Sequence, residues 1–138
     1  MKKSIIVLMS VILLSCAIVI PVNAALPPEN TLQPLWDNTA LVDCTVAAVD
    51  GVGYAECIVK SMPGSSSIKT DIYVYEAINN VWIYQTEVHD IKYTRVAGVS
   101  CPFSVTVGCH YRADYTFTVT KNGVDEVITR TAYYTYEG

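Results

Sequence analysis

Residues 111–119 alternate without a break: Tyr111, Ala113, Tyr115, Phe117 and Val119 fall on one side, and Arg112, Asp114, Thr116 and Thr118 on the other. A two-residue period of this kind is the signature of a strand with one buried face. Asn122-Gly123 then leads into a second strand-like run over residues 124–136, and an Asn-Gly pair between two such runs predicts a hairpin. Pairing across that turn sets Phe117 against Ile128 and Tyr111 against Tyr134 on the buried side. Glu126 and Arg130 fall on the same side, so two charges stand where apolar residues are expected; a sheet margin would accommodate them.

Two further hairpins follow from the same logic. Residues 40–49 and 52–60 flank Asp50-Gly51, a pair that tolerates the positive φ angles of a type I′ turn. In that register partners sum to 101, which puts Cys44 opposite Cys57 in a non-hydrogen-bonded pair, where facing side chains lie closest. Residues 67–77 and 81–88 flank Asn79-Asn80, with Ile72, Val74 and Ile83 on one face and Tyr73, Tyr75, Trp82 and Tyr84 on the other. A further strand is predicted over residues 100–107. No stretch has a sustained helical period. About seven short antiparallel strands in roughly a hundred residues predict an all-β, immunoglobulin-like β-sandwich.

The N-terminal 24 residues have a different character. Lys2 and Lys3 precede an apolar run over residues 5–20, and Val22-Asn23-Ala24 has the small-residue spacing of a signal-peptidase site. Residues 1–24 are therefore expected to be a cleaved signal peptide, residues 25–38 a Pro-containing leader, and residues 39–138 the sandwich domain. Two alternatives are a retained membrane anchor and a lipoprotein in which Cys16, after Leu13-Leu14-Ser15, carries the lipid. The expected location is secreted, with lipid anchoring at the cell surface as the alternative. No sorting motif or apolar tail follows Tyr136, so wall attachment is not expected.

The net charge is -4, and removing Lys2 and Lys3 takes it to -6. With no basic cluster, nucleic acid is not an expected partner. Membrane contact is expected only if Cys16 is lipidated. Cys44, Cys57, Cys101 and Cys109 remain after cleavage, an even number that in an exported chain predicts two disulfides. Zinc-type spacing is absent, and neither metal nor cofactor is expected. Elimination leaves Cys101 with Cys109, yet an extended strand would hold them about 20 Å apart, well beyond the roughly 7 Å a bridge allows. Either Pro102 bends that strand, or the connectivity is another of the three that four cysteines permit.

Gly108 followed three residues later by Tyr111, within residues 105–115, resembles the passage into the sixth strand of fibronectin type III and related immunoglobulin-like domains. The resemblance implies that Tyr111 is a corner tyrosine. More broadly, Gly53-Tyr54-Ala55-Glu56-Cys57, Tyr75-Glu76, Asn79-Asn80-Val81-Trp82, Gly108…Tyr111-Arg112 and Asn122-Gly123-Val124-Asp125-Glu126 resemble a group of small secreted proteins of Gram-positive bacteria. That likeness implies the sandwich fold and brings no site residues with it.

Catalytic chemistry has little to work with. His89 and His110 are the only imidazoles and sit in no nucleophile motif, while Asp71, Glu76, Glu87 and Asp90 are spaced like solvated strand positions. The candidate binding feature is the aromatic set Tyr73, Tyr75, Trp82 and Tyr84, whose rings offer large area with a polar tip. The alternative is that these rings are core, since one residue of turn length reverses the face. The chain is thus expected to be a non-catalytic extracellular or cell-surface binding module for a protein or glycan. The rival expectations are a small secreted enzyme or enzyme inhibitor with its site on loops 62–66 or 97–101, and a structural envelope component.

Overall fold

The computed structural model describes residues 36–138; the expected signal peptide, Cys16 and the first part of the leader lie outside the described residues. Seven strands follow in order: β1 (Thr39–Val49), β2 (Val52–Ser61), β3 (Ser65–Ile78), β4 (Val81–Lys92), β5 (Val96–Ser104), β6 (His110–Lys121) and β7 (Val124–Thr135). They form two antiparallel sheets, β1-β2-β5 and β4-β3-β6-β7, packed as an immunoglobulin-like sandwich.

The three turn pairs account for the hairpins. Asp50 and Gly51, Asn79 and Asn80, and Asn122 and Gly123 all have positive φ, the conformation a two-residue turn demands of both central residues. The first hairpin pairs Cys44 with Cys57, and the third pairs Phe117 with Ile128 and Tyr111 with Tyr134, all as the turn arithmetic predicts.

The core lies between the sheets. Ala55 and Val59 of β2, with Ala97, Cys101 and Phe103 of β5, face Ile68, Ile72 and Val74 of β3 and the inward side of β6. Tyr111 is the corner tyrosine: its hydroxyl oxygen accepts the Thr106 N–H at 2.7 Å and donates to Glu76 Oε1 at 3.1 Å. The two charges on the inner side of β7 have specific work. Glu126 accepts the Asp37 N–H at 2.7 Å, the Asn38 N–H at 3.3 Å and the Thr39 hydroxyl at 2.6 Å. The Arg130 guanidinium lies 5.1 Å from the centre of the Trp36 ring. The end of the leader is therefore anchored along the margin between the sheets, and Asn38 is buried with its side-chain amide donating to the Val119 and Val124 carbonyls.

Two expectations are corrected. The strand expected over residues 100–107 is β5, Val96–Ser104, because Val96 to Val99 continue the pairing with β2 from Cys57 to Lys60. Residues 97–101, a candidate site loop, are consequently strand.

Candidate binding face

The aromatic set lies on the outer face of the four-stranded sheet. In β3, Ile68, Thr70, Ile72 and Val74 turn into the core, which leaves Lys69, Asp71, Tyr73 and Tyr75 outside. In β4 the strand is not regular. Tyr75 pairs with Tyr84 but Val74 pairs with Thr86, so Gln85 is an extra residue, a β-bulge. The bulge keeps Trp82 and Tyr84 on the same side as Tyr73 and Tyr75, and it moves the rest of β4 by one place, so that Glu87 stands opposite Tyr73 and His89 opposite Asp71.

The rings are in contact with one another and with a cation. Tyr75 and Tyr84 meet edge to face at 6.2 Å between centroids. The Arg112 guanidinium from β6 lies 4.4 Å from the centre of Tyr75 and 5.2 Å from that of Trp82, and Trp82 reaches Tyr133 of β7 at 6.0 Å. Arg112 is held from its other side by Asp114 at 3.1 Å, and Asp114 also accepts the Thr131 hydroxyl at 2.9 Å. Trp82, Tyr84 and Tyr133 are 37%, 51% and 68% exposed, so this is a surface and not the core. Sequence reasoning found four of these rings by alternation. It missed Tyr133 and Arg112, which join the patch only through the β3-β6-β7 neighbour order.

Beside the rings is a polar cluster. His89 Nδ1 is 2.6 Å from Asp71 Oδ1 and His89 Nε2 is 3.3 Å from Glu87 Oε1, while Lys69 Nζ is 3.0 Å from Asp71 Oδ2. Hydrogen bonds to Asp71 first, then to Glu87, push the His89 pKa up. Burial works to raise the Asp71 carboxyl, and the hydrogen bonds from His89 and Lys69 outweigh it, so that its pKa falls below the ordinary carboxylate value. Tyr73 packs edge-on against the His89 ring at 5.6 Å. The other residues considered for chemistry are occupied elsewhere: Glu76 with Tyr111 and Gln85, Asp90 with Lys92, and His110 with the Thr135 hydroxyl.

Among the described residues Cys44, Cys57, Cys101 and Cys109 are free thiols, so the expected bridges are not formed there. Cys44 and Cys57 do face each other across β1 and β2, and burial pushes their pKa values up to about 12 and about 11. Cys101 and Cys109 keep separate company, the first buried on β5 beside Thr86, the second just before β6 beside Glu76 and Tyr111. The depression lined by Gly51, Val52, Pro102, Phe103, Ser104 and Val105 contains no ionisable side chain.

No family model matches the chain, and no curated protein matches it. Among solved structures, the crystal structure of a protein from Archaeoglobus fulgidus is similar at a TM-score of 0.33 and 13% sequence identity, over 72% of this chain and 98% of that one. A likeness at this level carries no argument about what the chain does.

Proposed function

We propose that this chain is an exported, non-catalytic module that binds a protein through the outer face of its β4-β3-β6-β7 sheet, outside the cell, with Cys44 and Cys57 joined as a cross-strand disulfide once it meets an oxidising medium. The observation that carries this reading is the contiguous Tyr75, Tyr84, Arg112, Trp82 and Tyr133 patch, which is solvent-accessible. Trp, Tyr and Arg are the residue types that dominate the binding energy of protein interfaces. A sugar-binding platform would present rings lying in one plane with open faces. Here the rings meet at 76° and 46°, and a guanidinium lies against two of them, which favours a protein over a glycan. The leading apolar segment and the paired cysteine positions support export.

The test compares the immobilised wild-type domain with the Trp82→Ala/Tyr84→Ser double variant against envelope and culture-medium proteins and a glycan array. Both positions are exposed and outside the core, so the variant is expected to keep its fold, which its circular-dichroism spectrum checks. A protein retained by wild type and lost from the variant supports the reading; retention by both to the same degree, or binding to glycans alone, overturns it.

A second reading has one specific observation in its favour: Asp71 and His89 form a carboxylate-imidazole pair at 2.6 Å, the orienting half of a general-base arrangement. Against it, the second ring nitrogen faces Glu87 instead of a hydroxyl or thiol nucleophile.

A further inference from the structure

The polar cluster sits on the same face as the rings and touches one of them. Given that this face is the binding surface, we propose that His89 is a proton-operated clasp that fixes Tyr73 and the local charge of the face, so that partner engagement depends on pH.

The geometry allows only one protonation state to satisfy both neighbours. A neutral imidazole has one N–H and one lone pair, whereas the imidazolium has two donors. Each His89 nitrogen has a carboxylate oxygen within ion-pair distance, Asp71 at 2.6 Å and Glu87 at 3.3 Å, so the charged ring serves both carboxylates and ties β3 to the edge strand β4. In that state Lys69 and His89 balance Asp71 and Glu87. Loss of the proton leaves one carboxylate facing a lone pair and the cluster one unit more negative. The hydrogen bonds that the ring donates to Asp71 and Glu87 stabilise the imidazolium and raise the pH at which this occurs.

The groups facing His89 are few. From β3 they are Lys69, Asp71 and Tyr73, and from β4 Glu87, with Tyr84 next to Glu87. In β6, one strand further, Thr116 lies opposite Asp71, and Asp114 lies opposite Tyr73 already paired with Arg112. Asp90 and Lys92 pair with each other at 3.1 Å. Tyr73 transmits the change because its ring packs against the imidazole, and its strand neighbour Tyr75 carries the Arg112 stack. A partner surface complementary to the neutral face then meets a more negative one with Tyr73 released.

The experiment needs only protons as the probe. Ring resonances of His89, Tyr73, Tyr84 and Trp82 are followed in the purified protein by NMR between about pH 5 and about pH 9, a range that brackets the ordinary imidazole value. The expected result is a His89 midpoint above about 6.5, with Tyr73 shifting at the same midpoint. Asp71→Asn is expected to lower that midpoint, and His89→Asn to leave Tyr73 flat; Glu87→Gln gives a milder version should Asp71→Asn disturb the sheet. A His89 midpoint unchanged in both carboxylate variants, or a Tyr73 ring indifferent to the His89 titration, overturns the clasp. Because no partner enters this titration, that failure is distinct from failure of the binding face, which shows instead as unaltered protein retention by the Trp82→Ala/Tyr84→Ser variant.

Discussion

Replacing Tyr111 by Phe removes a single oxygen, yet that oxygen accepts the Thr106 N–H and donates to Glu76 across the end of the sandwich. The ring is fully buried and stays in place against Phe103 at 5.1 Å. Only the hydrogen bonds are lost, and the cost of stranding a part-buried N–H and carboxylate is about 1 to 3 kcal/mol. Urea denaturation of Tyr111→Phe is expected to show a lower midpoint with an unchanged slope; an unchanged midpoint would remove the corner role. Tyr111 was legible through the resemblance of residues 105–115 to the passage into the sixth strand of fibronectin type III-like domains, which implies a corner tyrosine there. Glu126 and Arg130 were legible only as anomalies. Their partners, Asp37 to Thr39 and Trp36, lie about ninety residues away along the chain, and no local pattern encodes so distant a contact.

At the scale of strands and turns, the first and third hairpins could be written down from Asp50-Gly51 and Asn122-Gly123, because a two-residue turn leaves no freedom in register. The second could not be completed, since the Gln85 bulge changes its register halfway. Without the bulge Asp71 would face Val88, and the His89 cluster would not exist; with it, Asp71 faces His89. No residue type signals the bulge, so the polar half of the candidate site was hidden while the aromatic half, nearer the turn, was readable. The pairing of β2 with β5 has a tight point of its own. A Cβ on Gly53 would come within 2.4 Å of the Phe103 ring, which is packed against Tyr111. Gly53→Ala is expected to destabilise by about 1 to 3 kcal/mol through overpacking, read as a lower melting temperature, whereas Gly98→Ala, 4.0 Å from its nearest neighbour, is expected to be mild. The facing pair Cys44 and Cys57 makes the opposite prediction. Oxidation closes a short loop in the unfolded chain and is expected to add about 3 kcal/mol, seen as a raised urea midpoint that reductant reverses and Cys57→Ser abolishes. Equal midpoints with and without reductant, in a sample whose mass shows the pair oxidised, would contradict it.

For the whole molecule, the ionisable groups combine into a stability profile with distinct limbs. Asp71 is held below its ordinary value, so its contribution is present above about pH 4 and disappears as pH falls through its lowered folded value. His89 is held above its ordinary value, so its contribution is complete below about pH 6.5 and is lost as pH rises through the raised folded value. The buried thiols act higher still. In the reduced protein Cys44 and Cys57 resist ionisation in the folded state, up to about 12 and about 11, so its stability falls further once thiols of the unfolded chain ionise near about pH 8.5, a step the disulfide-bonded protein lacks. Melting temperature against pH is therefore expected to plateau between the ordinary carboxylate and imidazole values and to decline in two steps on the alkaline side. His89→Asn separates them: the gap between wild type and variant is expected to be widest on the plateau, to close as pH rises through the His89 midpoint, and to leave the thiol step untouched. Parallel wild-type and His89→Asn curves from acid to alkaline pH would mean that the imidazolium contributes nothing between Asp71 and Glu87. The alkaline decline would then belong to the buried thiols and to the buried phenols of Tyr111 and Tyr115, whose ionisation burial also opposes.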